Sequence, residues 1–262
     1  MAELLFWPAL LAYGEAVVAY AGNARRPGRA GLLGTWGVRV GWLVQTALLG
    51  FQATRADGFP WDTWAGSLNL FVWLVVGCYL IWGCRARYRL LGLTVMPLVV
   101  GLLVLARVGG GLEAGTHSHY SNLFLVLHVG FVLAAFAGFT LAAGLSALYL
   151  WQERRLKRRQ AGGLLGRAPS LASLEALAAR TIVFAVPALT AGIVAGFVRL
   201  REKGGGVDAL MAVTLLTWGL YAGFLLLRYE AGWRGRRAAY LALAGFALVI
   251  VVRLGLPLTH FS

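Results

Sequence analysis

This sequence is short of charge. Only 13% of its 262 residues are Asp, Glu, Lys or Arg, about half the share of an ordinary soluble domain. Acidic residues are the scarcer kind, 10 against 24 basic, and the formal net charge is +14. Cysteine and histidine are few as well, two and four residues. Cys78 and Cys84 lie six positions apart, off a shared helix face. With no C-x-x-C pair, neither a dithiol redox site nor covalent macrocycle attachment is encoded. The two cysteines read as small buried apolar residues.

What is abundant is hydrocarbon. Apolar residues make up 60% of the chain and the mean hydropathy is +0.74. Apolar runs of about 18 residues recur, each long enough for a bilayer core of roughly 30 Å. The runs are continuous and do not alternate, which argues against a β-barrel. The fold expected is an all-α polytopic integral membrane bundle, a single transmembrane domain over residues 1–262. Eight transmembrane helices are predicted, at roughly 3–21, 32–54, 65–84, 90–107, 121–151, 181–200, 209–228 and 238–258. Nearly all the basic residues fall in loops between spans, so the basic charge reads as membrane topology and argues against a nucleic-acid role. The opening "MAELLFWPALLAYGEAVVAY" has no basic segment ahead of its apolar run, and "ARRPGR" follows it. That order predicts a retained first span, not a cleaved signal.

With the start outside, seventeen basic residues fall in inner loops and five outside: Arg55, Arg107, Arg199, Arg201 and Lys203. The bias predicts both termini outside. The long inner loop 152–180 contains "PSLASLEALAAR", with Leu171, Leu174 and Leu177 at a spacing of three. A short amphipathic helix lying along the inner interface is expected there.

Three charges lie inside spans. Glu15 and Arg39 sit at matching depths on neighbouring spans, and an ion pair between them is predicted. Arg253 is two turns before His260 on one helix face. It either snorkels to the outer interface or meets an anionic ligand. Three of the four histidines fall within "GTHSHYSNLFLVLHVGF", residues 115–131. His117 and His119 form an H-x-H in an outer loop. Glu113 is the nearby carboxylate, a small donor set for zinc, so the loop reads first as solvated, with a metal site or a proton or ligand gate as the alternatives. His128 is inside the fifth span. It is either a polar group hydrogen-bonded across helices or a functional residue. Two histidines on different helices, His128 and His260, are an arrangement that ligates haem iron axially.

The C-terminal stretch "LLTWGLYAGFLLLRYEAGWRGRRAA" resembles the cytochrome c assembly family, which includes the CcsA and CcmC haem-handling proteins and HemX-like relatives. Trp218, Tyr221, Ala222, Arg228, Gly232, Trp233, Gly235 and Arg236 carry the likeness. "LHVGFVLAAFAGF" is similar to the family helix that opens His-Val and continues with an aromatic-alanine pair, here Phe136-Ala137. The closing "THFS" resembles the family's terminal histidine segment. "SLNLFVW" and "PSLASLEAL" are weaker echoes, and the likeness covers about 65–262.

The resemblance implies that His128 and His260 match two outer haem-ligating histidines. It also implies departures. The tryptophan-rich outer loop of the CcsA branch is here "REKGGGVDAL". Asp208 falls on the family's aspartate, while Gly205 and Val207 replace tryptophans. Trp61 and Trp64 offer a substitute platform on the same side, or serve as interfacial anchors. Leu226 stands where the CcsA branch has a histidine in span 7, so an internal second haem site is not implied. These losses place the chain nearer the HemX-like branch.

The reading is a haem-handling protein of the cell (plasma or inner) membrane, acting in cytochrome c maturation. Haem b is held non-covalently, with His128 and His260 axial and Arg253, Arg107, Arg199 and Arg201 toward the propionates. Asp208 orients a ligand or partner. The partners expected are other cytochrome c biogenesis membrane proteins and apocytochrome c. The role is carrier or assembly factor rather than enzyme, at most a subunit of a cytochrome c haem lyase system. The rival reading is a HemX-like membrane regulator of tetrapyrrole biosynthesis, acting through the basic inner loop. A redox cytochrome b is disfavoured, because no histidine lies in the inner half.

Overall fold

The computed structural model describes residues 2–26, 28–55, 61, 63–82, 89–112, 123–158, 169–203 and 209–250. These residues form eight helices: α1 (Ala2–Arg25), α2 (Ala30–Ala53), α3 (Trp64–Trp82), α4 (Arg89–Val108), α5 (Leu123–Lys157), α6 (Leu171–Lys203), α7 (Ala209–Tyr229) and α8 (Arg236–Ile250). Six, namely α1 and α3–α7, are long and apolar enough to cross a membrane. In α2, Arg39, Gln45, Gln52 and five glycines dilute the apolar character, and α8 is described over only 15 residues. The expected order of the helices is reproduced, while α5 runs on to Lys157 and α6 begins at Leu171, ten residues before its expected start. Large apolar side chains turn outward, as lipid-facing surfaces require: Leu4, Leu11 and Val18 on α1 are each about 70% exposed.

Helices α1–α4 and α5–α8 form two compact units. In the first, α1 and α2 run antiparallel along a glycine seam. Tyr13 lies against Gly41, Ala16 and Glu15 against Gly37, and Tyr20 against Gly34. A Cβ on Gly41 would stand 2.7 Å from the Tyr13 ring, so the approach depends on glycine. The polar atoms this seam buries are paired. The Tyr13 hydroxyl donates to Gln45 Oε1 at 2.8 Å, and Gln45 Nε2 donates to Asn69 Oδ1 at 2.9 Å. Asn69 Nδ2 reaches Gln52 Oε1, and Gln52 Nε2 donates to the Gly111 carbonyl at 3.0 Å. This chain of amides ties α1, α2, α3 and the turn after α4 together.

Two expectations are corrected. Glu15 and Arg39 form no ion pair within 4.0 Å among the described residues. The Glu15 carboxylate lies over Gly37, with Oε2 3.0 Å from where a Cβ would be. Arg39, two residues on, is about 200° around the helix, and its guanidinium stacks on Trp36 at 5.1 Å. Equal depth was satisfied, but angular position was not. The second correction concerns "PSLASLEALAAR", which is not a separate interfacial helix but the first three turns of α6. Ser170 caps it, its hydroxyl accepting from Ser173 N at 3.3 Å. No glycine or proline interrupts residues 171–186, and Leu174 is fully buried.

The second unit is organised by α5 and α6, its most extensive pairing. They have 35 and 33 residues, about 50 Å each at 1.5 Å per residue, well beyond a bilayer core. Their shared end carries Arg154, Arg155 and Lys157. It is called here the basic end. Tyr221 of α7 joins the helices at the centre. Its ring stacks on Phe139 at 3.7 Å, lies against Gly245, and its hydroxyl donates to the Ala242 carbonyl at 3.0 Å.

The amide chain yields a stability prediction. Gln45→Leu leaves the fully buried Tyr13 hydroxyl and the Asn69 side-chain oxygen unpaired. The expected loss is about 1–2 kcal/mol, read as a lower thermal midpoint of the detergent-purified protein than wild type.

Candidate functional site

His128 lies in the second turn of α5, and its imidazole turns into the α5–α6 seam. The helices pair there in a steady antiparallel register: Gly138 against Ala185, Val132 against Gly192, His128 against Gly196. A Cβ on Gly192 would meet Val132 Cγ2 at 2.7 Å, and one on Gly196 would meet His128 Cε1 and Nδ1 at 2.7 Å. The pair Gly192 and Gly196 is therefore a G-x-x-x-G notch in an apolar helix, and the imidazole fills its half nearer the end of α6.

The notch also orients the ring. His128 Nδ1 lies 2.6 Å from the Gly192 carbonyl oxygen. A carbonyl only accepts, so Nδ1–H donates, and in the neutral imidazole Nε2 carries the lone pair. A ligating histidine takes this form, with one nitrogen tied to a backbone carbonyl and the other basic.

Beside the seam, α5 and α6 form an open apolar groove of about 620 Å³ lined by Leu127, Phe131, Val186, Pro187, Thr190 and Val194 among others. Its one side-chain polar group is Thr190, whose hydroxyl donates to Val186 O at 2.9 Å and accepts from Trp218 Nε1 at 2.9 Å. Pro187 lacks the N–H that would continue the helix ladder. His128 is not part of the groove wall. Its neighbour Leu127 is, about 100° around the helix.

The other expected site residues are distributed as follows. Arg201 is exposed near the end of α6, in no ion pair among the described residues. Arg199 is on α6, its side chain outside the described set. Arg107, near the end of α4, holds the carboxylate of Glu3 on α1, a partner the sequence reading did not foresee. Asp208, Arg253 and His260 lie outside the described residues, as do Glu113, His117, His119 and Cys84. Trp61 donates to Gln52 Oε1 at 3.4 Å, and the Trp64 ring packs on Gly109. Among the described residues no group of three His, Cys, Asp or Glu is placed to hold a metal ion. Sequence reasoning missed Thr190, Gly192 and Gly196, although G-x-x-x-G within an apolar helix was a legible signal.

A model of the Cytochrome C assembly protein family matches residues 61–260. The HemX protein of Brevibacillus brevis is 33% identical over 161 residues, 60% of this chain and 58% of that protein. The cytochrome c biogenesis protein CcsA of Gloeothece citriformis is 26% identical over 277 aligned positions, 86% of this chain and 84% of that one. HemX of Bacillus subtilis is 24% identical, over 65% of this chain and 62% of that one. No solved structure matches. A histidine-bearing helix pair, six apolar helices and a family match over some 200 residues agree: the chain is a multi-pass membrane protein of the cytochrome c assembly family.

Proposed function

We propose that this protein handles haem during cytochrome c maturation, holding haem b non-covalently at the outer face and presenting it to assembly partners. The observation that carries the reading is the His128 imidazole, fixed by the Gly192 carbonyl at 2.6 Å so that Nε2 is the basic nitrogen. His128 and His260 are the proposed axial ligands. Arg253, Arg199 and Arg201 are the proposed partners of the propionates, and Arg107 joins them only by releasing Glu3. Asp208 orients a ligand or partner. The apolar groove beside the seam offers dry surface to a flat macrocycle. Bound haem would supply the iron and the group destined for the cytochrome. This chain's own work is to hold one imidazole in the ligating tautomer and to keep water from it. The proposed topology is eight spans with both termini outside, in the cell membrane, and the proposed partners are other cytochrome c biogenesis proteins and apocytochrome c.

A second reading has its own support. The α5–α6 basic end runs on as ordered helix, a surface suited to a cytosolic partner, and HemX proteins are among the relatives. Regulation of tetrapyrrole synthesis would use that end and not His128.

The absorption spectrum of the purified, haem-supplemented protein tests the first reading. Wild type is expected to show a Soret band that His128→Ala largely abolishes. An absent band, or one unchanged by the substitution, overturns it. Gly196→Ala is a finer probe, since its methyl would stand 2.7 Å from the imidazole. It is expected to weaken haem retention about tenfold while the protein stays folded by circular dichroism. Truncating the basic end separates the readings: changed abundance of a haem-synthesis enzyme with normal cytochrome c content favours regulation.

A further inference from the structure

The family-like run "RYEAGWRGRR" has no part in the proposed haem site, yet it builds a pocket of its own. Helix α7 ends at Tyr229, and the chain turns sharply before α8. Gly232 at φ 63° and Gly235 at φ 68° flank Trp233 and Arg234, backbone conformations that favour glycine. Trp233 N donates back to Leu227 O at 3.0 Å, and a Cβ on Gly235 would stand 3.0 Å from the Tyr149 hydroxyl. Arg234 is thus held by a defined turn. It meets Arg180 of α6 and Arg228 of α7 around a cavity of about 200 Å³ whose apolar floor is Ala176, Ala179 and Val183.

Three arginines from three segments line one small space. Arg228 is paired with Glu175. Arg180 and Arg234 have no carboxylate within 4.0 Å among the described residues. Three cations with a single carboxylate among them leave an excess of positive charge, and a cavity lined by planar forked donors suits an oxyanion. At roughly 30 Å³ per water-sized group, the volume accepts a phosphate with its first ester carbons. The site lies where an apolar span ends. Tyr229, 69% exposed, stands beside it, and the outward faces of Phe184 and Leu226 lead away from it, a setting for acyl chains and an interfacial aromatic.

We propose that Arg180, Arg228 and Arg234 form a binding site for a phosphate group, supplied by the headgroup of an anionic membrane lipid at the basic end of the bundle. The proposal is independent of haem.

The test is the thermal midpoint of the delipidated, detergent-purified full chain, titrated with phosphatidylglycerol, phosphatidylcholine or inorganic phosphate. Phosphatidylglycerol is expected to raise the midpoint by several degrees and phosphatidylcholine is not. The rise should shrink at least threefold in R180Q/R234Q and persist in R155Q/R158Q, which removes the same charge elsewhere on the basic end. An equal rise with inorganic phosphate, lost in the same variant, supports the phosphate chemistry and makes free phosphate the source. No rise, or one undiminished in R180Q/R234Q, overturns the proposal. If the double variant fails to fold, Arg234→Gln alone, in an exposed turn, is read by native mass spectrometry. Undiminished lipid adducts there overturn the site equally.

Discussion

Rings seated in glycine notches hold this molecule together. Tyr13 sits on Gly41, Tyr20 on Gly34 and Gly92, Tyr221 on Gly245, and His128 on Gly196. In each case a missing side chain on one helix makes room for a flat ring on another. Within a bilayer there is no hydrophobic drive between helices, so close van der Waals fit and interhelical hydrogen bonds carry association. Each ring brings a polar atom, and each polar atom is met. Tyr13 finds Gln45, Tyr79 donates to Tyr20, Tyr221 finds the Ala242 carbonyl, and His128 finds the Gly192 carbonyl. The histidine is therefore built into the protein by the device that builds in its tyrosines. What distinguishes it is chemical: an imidazole tied at one nitrogen retains a base at the other.

Much of this was legible from residue order alone. Continuous apolar runs told where helices lie, because length and hydropathy decide that. His128 stood out because an ionisable group within such a run is costly. Angular relations were less legible. Depth along two spans brought Glu15 and Arg39 level, yet the glycines at 34, 37 and 41 decide which face of α2 meets α1, and Arg39 is not on it. Gln45, Gln52 and Asn69 were passed over because amides carry no charge to flag them. Their value lies in meeting one another across two helices, α2 and α3, which no local pattern reports. The union of "PSLASLEALAAR" with the following span escaped notice for a related reason: a switch from amphipathic to apolar composition resembles a boundary, although nothing there breaks the helix.

The distribution of charge follows from the same economy. The three ion pairs among the described residues lie at helix ends or on the basic extension: Glu3 with Arg107, Glu153 with Lys157, Glu175 with Arg228. With so few acidic residues, most of the described arginines have no carboxylate within 4.0 Å among the described residues, and several lie on aromatic faces instead. Arg39 rests on Trp36, Arg155 on Trp151 and Arg237 on Trp233. Arg180 and Arg234 have neither kind of partner among the described contacts, which is what makes their cavity chemically distinctive.

The fit of His128 over Gly196 has a mechanical corollary. Helices α5 and α6 form one antiparallel pair running about 40 Å from that notch to the basic end. The notch is one helical turn long, from Gly192 to Gly196, and the imidazole and Val132 each occupy one of its two places. A Cβ at either place would stand 2.7 Å from the group seated there, so the histidine and the packing of the helix pair are set by the same two missing side chains.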